Sequence, residues 1–83
     1  MTLPENIDQQ KLAEAALAIL SLTASDDTGI MRAWKGMDWD LLAVLHRNGW
    51  IGDPVGKQKS VVFTDEGKEL AKGFLEKHFG KQV

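Results

Sequence analysis

The chain has no cysteine and no tyrosine among its 83 residues, and only two prolines. Without cysteine there is no disulfide, no thiolate nucleophile and no sulfur-rich zinc site, a composition compatible with a reducing cytoplasm. No apolar run approaches the ~20 residues that a membrane-spanning helix needs. Met1 to Gln10 carries Pro4, Glu5 and Asp8 and lacks the basic and apolar regions of a secretory leader, so a cytoplasmic protein is expected. Positive charge is short as well: ten Lys/Arg face twelve Asp/Glu, a net charge of −2, the wrong sign for a chain that coats phosphate backbones. Any nucleic-acid surface has to be local. What is present is apolar content, 43% of the residues, with three Trp and three Phe. That suffices for one packed core in a single domain over residues 1–83, burying roughly 60–70% of the unfolded chain's surface.

Leu12, Ala16 and Ile19, together with Ala13, Leu17 and Leu20, recur at spacings of three and four and predict a helix over Ile7 to Leu22. Its polar residues crowd the first two turns. Beyond Glu14 the run Ala15 to Leu20 has none, so this helix must be central or face a partner. Thr23 to Gly29 reads as a loop of small, turn-forming residues. Ile30 to Met37 carries Met31, Trp34 and Met37 at helical spacing and reads as a short helix or irregular turn, weakened by Gly36. Asp38 can cap a helix that runs through Leu41, Leu42, Val44 and Leu45 and stops at Asn48-Gly49. Trp50-Ile51 then begins a strand, Gly52 to Gly56 supplies the turn, and Ser60 to Phe63 returns, giving a two-stranded hairpin.

Thr64 caps the last helix, where Asp65 and Glu66 complement the positive end of the dipole and Lys77, His78 and Lys81 lie at the negative end near Gly80. Leu70, Phe74 and Leu75 are its expected buried stripe. Gly67 and Gly73 each cost the helix ~1 kcal/mol relative to Ala, so close packing is expected at both.

The order from Leu41 to Gly67, an apolar helix, a glycine stop, a short strand, a Gly/Lys tip, a second strand and a Thr-Asp-Glu-Gly helix start, resembles the recognition helix, wing and following helix of a winged helix-turn-helix domain. The fold that this implies is α+β, with three main helices and a two-stranded β-hairpin wing. More narrowly, the run Arg32-Ala33-Trp34-Lys35-Gly36-Met37-Asp38-Trp39-Asp40, with Leu41-Leu42 and the later Lys57-Gln58-Lys59-Ser60-Val61-Val62, resembles a family of short bacterial proteins known as a domain of unknown function. That second resemblance implies a bacterial origin and transfers no functional residue. Winged-helix DNA readers carry polar and basic side chains near the start of the recognition helix, whereas Asp38, Trp39 and Asp40 stand there in this chain.

From Thr28 to Phe63 the five cations Arg32, Lys35, Arg47, Lys57 and Lys59 oppose Asp38, Asp40 and Asp53, so this stretch nets +2. These five are the candidate nucleic-acid contacts. On the helix after Asp38 the exposed side is expected to show Asp40, Ala43 and Arg47, of which Arg47 alone is a good guanine reader. Lys57 and Lys59 at the hairpin tip are placed to touch phosphates. With two to four such contacts the salt slope is about −2 to −4, too small to hold a site firmly without dimerisation. Lysines that keep a hairpin soluble are the simpler account.

Trp34, Trp39 and Trp50 have the flat area of base-stacking platforms or interface anchors. In a domain this small, tryptophan more often fills the core, and that is the expectation for Trp34 and Trp50. Trp39, between two acids, is the candidate exposed interface anchor. Asp27-Thr28-Gly29 matches the bare aspartic-protease triplet but follows Ser25-Asp26 rather than an apolar strand, so chance accounts for it. Asp38 and Asp40, two apart on a helix, point to different sides and make neither an acid/base pair nor a metal clamp. His46 and His78 lack metal-ligand spacing, and His78 near a helix end reads as a dipole partner. No nucleophile elbow and no phosphate-binding glycine loop is present. The chain thus reads as no enzyme, with no metal and no cofactor: a non-catalytic interaction module, homodimeric through its first and last helices, with an unknown protein partner. The alternative is a weak DNA-binding regulator using Arg47, Lys57 and Lys59.

Overall fold

In a computed structural model the described residues are 5–27, 29–56 and 59–81. Three helices and three strands follow the order α1 (Gln9–Leu22), β1 (Ser25–Asp27), β2 (Ile30–Trp34), α2 (Trp39–Arg47), β3 (Ser60–Val62) and α3 (Asp65–Phe79). The strands form one antiparallel sheet in the order β1-β2-β3. The fold is therefore α+β, with a three-stranded sheet in place of the expected two-stranded hairpin.

The helix boundaries follow local chemistry. Asp8 caps α1 by accepting from the Lys11 amide at 3.0 Å, so the helix starts two residues later than the apolar periodicity predicts. Asp38 caps α2 through the amides of Asp40 and Leu41. At the other end of α2, Gly49 takes φ +80°, its amide reaches the His46 carbonyl, and the Trp50 amide reaches Leu45. Those two bonds make a Schellman stop. Thr64 caps α3 by accepting from the Gly67 amide at 2.9 Å while donating its hydroxyl proton to the Gly49 carbonyl at 2.6 Å. One side chain thus ties the start of α3 to the end of α2.

The sheet corrects three expectations. Ser25 to Asp27, expected as loop, is β1, and Ile30 to Trp34, expected as a short helix or turn, is the central strand β2. The spacing Met31, Trp34, Met37 imitates a helical face. The side chains instead alternate, with Ala33 buried and Ile30, Arg32 and Trp34 exposed, because β2 is hydrogen-bonded on both sides and the pleat sets a period of two. Third, β3 pairs with β2, placing Arg32 opposite Val62 and Trp34 opposite Ser60. Trp50 joins no strand, and Ile51 makes a single bridge to Phe63. The expected hairpin tip at Lys57 lies outside the described residues.

α1 and α3 pack on each other and, with α2 and one face of the sheet, enclose Leu17, Leu20, Leu42, Leu45, Trp50, Ile51, Val61 and Phe63. The two longest helices run antiparallel: Glu14 near the start of α1 meets Lys77 and His78 near the end of α3, and Asp26 beyond α1 meets Lys68 near the start of α3. The buried line of α3 is set by Gly67 and Ala71, whereas Leu70, Phe74 and Leu75 are half-buried. Gly67 is where close packing is met, since a Cβ there would collide with the Trp50 carbonyl; Gly73 faces open space, against expectation.

Candidate functional site

The register of the sheet decides which side chains are available. Ala33 and Val61 are cross-strand partners and both are buried, so they mark the covered face. Arg32 and Val62, also partners, lie on the opposite face with Ile30 and Trp34. A half-solvated antiparallel sheet ordinarily turns polar residues to water. Here three of the five β2 and β3 side chains on the open face, Ile30, Trp34 and Val62, are apolar and exposed, beside Arg32 and Ser60.

Trp34 is 68% exposed, which corrects its expected core position; its outward register is the reason. Beside it Ile19, Leu20, Thr23, Trp34, Gly36 and Met37 line a groove of about 230 Å³ whose walls are mainly apolar. Gly36 shapes one wall, because its Cα lies against the Trp34 ring so closely that a Cβ would overlap three ring carbons. Ile19, 49% exposed, forms the opposite wall from α1, and Leu22 one turn on is also exposed. The polar-free run of α1 is thus divided: Ala16, Leu17, Ala18 and Leu20 serve the core, and Ile19 stays in solvent at the groove.

The five candidate cations are dispersed. Arg32 stands on the open sheet face. Lys35 is committed elsewhere, donating to the carbonyls of Pro54 at 2.7 Å and Gly56 at 3.0 Å while its ammonium sits 5.4 Å from the Trp39 ring, a cation–π arrangement. The Lys35 amide also donates to the Lys59 carbonyl, which brings those two residues together at the end of β2 and β3. Arg47 is at the far end of α2 from Trp39, about 12 Å along the helix, and Lys57 lies outside the described residues. Asp40, Ala43 and Arg47 are exposed along α2, as the sequence indicates. Trp39 is 58% exposed and is partly occupied by Lys35.

One buried polar cluster escapes sequence reading. Glu14 is buried between α1 and α3 and accepts from Lys77 Nζ at 2.8 Å and Gln10 Nε2 at 3.1 Å, with His78 Nε2 at 2.8 Å. His78 is therefore a partner of Glu14 as well as a residue of the last helical turn. The hydrogen bonds from Lys77 and His78 hold the Glu14 carboxyl down at about 2. A carboxylate so saturated and so acidic is a structural anion rather than a proton carrier. His46 faces the Ile51 carbonyl across 3.1 Å. Among the described residues no three His, Asp or Glu side chains gather as a metal site would require, and no helix is long and apolar enough to cross a membrane.

The groove is open and apolar, and among the described residues no converged set of titratable groups stands beside it. No solved structure matches this chain. It is 49% identical over 61 residues to the uncharacterized protein y4hR of Sinorhizobium fredii (strain NBRC 101917 / NGR234), a match covering 74% of this chain and 78% of that protein. Residues 8–81, which span α1 to α3 and so the whole groove, match the domain of unknown function DUF6429, and the chain belongs to that family.

Proposed function

We propose that this domain is a non-catalytic interaction module that receives an apolar element of a partner in the groove beside Trp34. The observation that carries this reading is Trp34 itself, a large aromatic left exposed on a sheet face next to an apolar groove. Exposed apolar surface of this kind costs solvation in the free protein and is regained when a partner covers it. Tryptophan is also the side chain over-represented among residues that dominate interface energies. The polar clusters support the same reading: Glu14 is saturated by its partners, and Lys35 is held by two carbonyls.

A nucleic-acid-binding role has less support. Of its five cations Lys35 is engaged, Arg47 is remote from Lys35, and Asp40 shares the exposed side of α2 with Arg47. A winged-helix likeness is supported from α2 through β3 to α3, where helix, turn-rich loop, strand and helix follow in order. The strand β2, standing where the first helix of a helix-turn-helix would be, speaks against extending it further.

The test is uptake of the apolar dye ANS at sub-micromolar protein and neutral pH. We expect fluorescence enhancement that is lost in Ile19→Glu, with an unchanged far-UV circular dichroism spectrum. Absence of enhancement in the wild-type protein would reject the groove as a binding surface. Anisotropy of a labelled random duplex between about 50 and about 200 mM salt tests the nucleic-acid role, and we expect no salt-dependent binding.

A further inference from the structure

We infer that Asn48-Gly49 is a conformation-gated modification site: the folded chain holds the pair unreactive, and opening of the turn after α2 lets it cyclise, lose ammonia and become aspartate or isoaspartate, which the folded turn does not accommodate. Three observations carry it.

The first is the pair itself. Asparagine followed by glycine is the sequence in which a backbone amide most readily attacks the preceding side chain, because glycine has no Cβ to shield its nitrogen and leaves the backbone free to turn. The Gly49 nitrogen bonds to the Asn48 side-chain carbonyl carbon, the Cγ–Nδ2 bond breaks, and the Gly49 amide proton leaves with Nδ2 as ammonia. Water then opens the resulting succinimide at either of its carbonyls. The other asparagine of the chain, Asn6, precedes Ile7, whose β-branched side chain crowds the same attack.

The second is how the fold engages the reacting atoms. Asn48 lies in the right-handed helical region at φ −76° and ψ −7°, and ring closure needs ψ to turn far from that value. The Gly49 N–H is donated to the His46 carbonyl at 2.9 Å, so the attacking nitrogen is held in the Schellman stop. The Gly49 carbonyl is held as well, by the Thr64 hydroxyl at 2.6 Å, and the Trp50 amide reaches Leu45 at 3.0 Å. Both sides of the glycine are thus anchored, one to α2 and one to the start of α3. Cyclisation has to wait for a local opening that breaks these bonds.

The third is where the product sits. Asn48 Nδ2 is buried and has no hydrogen-bond partner among the described residues. Deamidation puts a carboxylate oxygen in its place, a buried anion without a donor, at the end of α2 where the helix dipole is negative. The basic residues of that turn, His46 and Arg47, are both exposed, and a charge screened by water offsets little of a buried one. Isoaspartate adds a methylene to the main chain, which moves Gly49 off the His46 carbonyl and off the Thr64 hydroxyl. Either product weakens the joint between α2 and α3, so a turn that has opened and reacted does not close as before.

The test is incubation of the full chain at mildly alkaline pH, in native buffer and in guanidinium chloride, with Asn48→Gln in parallel. Intact mass reads the exchange of amide for acid, and peptide mapping places it and separates aspartate from isoaspartate. The expected result is conversion at Asn48 in denaturant, little at Asn6, a far slower gain in Asn48→Gln, and a rate at Asn48 at least ~10-fold lower in native buffer. Once the denaturant is removed, modified chains should unfold at a lower urea concentration than unmodified ones, and so should Asn48→Asp made directly. Equal rates in the two buffers, or a faster native rate, would overturn the gating. A gain in denaturant that persists in Asn48→Gln would place the reaction elsewhere and overturn the site. Modified chains and Asn48→Asp as stable as the wild type would overturn the exclusion of the product by the folded turn.

Discussion

The two faces of the three-stranded sheet carry similar side chains to opposite ends. On the covered face Ala33 and Val61 lie under the helices, and Trp50, Leu45 and Phe63 complete a core in which Trp50 is 5% exposed and meets Phe74 in a tilted ring contact, 5.2 Å between centroids. On the open face Ile30, Trp34 and Val62 remain in solvent beside Arg32. Residue type does not distinguish the two sides, since Trp50 in the core and Trp34 on the open face both have β-branched neighbours. The difference is cover: α1 and α3 are tied by Glu14, Lys77 and His78, and α2 is tied to α3 by Thr64, so all three helices occupy one side. Burial on one face then measures what the fold needs, and the other face keeps its apolar side chains in solvent.

Truncating the covered face gives the largest effect. Leu45 is fully buried and supplies the carbonyl of the Schellman stop. Leu45→Ala is expected to cost about 2–5 kcal/mol through lost transfer energy plus an unfilled cavity, read as a fall in the urea midpoint. A shift below about 1 kcal/mol would mean that the core closes over the gap.

Gly67→Ala comes next. The added methyl collides with the Trp50 carbonyl, a backbone atom that cannot rotate away, and overpacking of this kind costs about 1–3 kcal/mol even after alanine's better helix propensity is counted. Gly73→Ala is its control. Nothing lies within 4 Å of a Cβ at Gly73, so the same substitution six residues on is expected to raise stability by up to ~1 kcal/mol. Opposite signs of the two melting shifts would establish the contact at Gly67, and equal signs would remove it.

Much of this architecture is legible in the chain, and what is legible is local. Asp38, Gly49 and Thr64 act on amides and carbonyls within a few residues, so caps and stops can be read directly. β1 and β2 are hidden because Ser25-Asp26-Asp27 has little strand propensity of its own, and Met31, Trp34 and Met37 happen to repeat every third residue. Pairing with a strand about 30 residues away, not local preference, makes β2 extended. The groove shares that opacity, since only the register of β2 against β3 turns Trp34 outward. Glu14 lies 63 and 64 residues from Lys77 and His78, and a polar residue in the second turn of a helix gives no sign of such a meeting.

Glu14→Gln sharpens the comparison from the side of the covered face. The neutral amide keeps the shape and loses the attraction to Lys77, whose own side chain is largely exposed, so solvent screening tempers the effect. About 2 kcal/mol at neutral pH is expected. The sign follows from the depressed acidity. A carboxyl at about 2 in the folded chain and 4.5 otherwise stabilises fully above pH 4.5, and the contribution disappears as pH falls through that window toward 2. The gap between wild type and Glu14→Gln, measured by denaturant titration at a series of pH values, should therefore close on acidification. A gap independent of pH would show that packing, not charge, is what the substitution removes.

The smallest expected effect on stability is at Trp34, and it is the one on which the comparison turns. Trp34→Ser removes the largest exposed side chain of the open face. In a monomer it forfeits little more than the contact with Gly36 and the groove wall, so the unfolding free energy at low protein concentration should move by about 0.5 kcal/mol or less. Trp50→Ser, by contrast, would strip a buried ring and leave Phe74 without its tilted aromatic partner, at several times that cost. A partner that covers Trp34 separates the two measurements further: it raises wild-type stability, because it binds only the folded state, and leaves Trp34→Ser unchanged. Should Trp34→Ser prove as damaging as Trp50→Ser in dilute solution, the open face would be part of the core and its tryptophan would be held for the fold rather than for a partner.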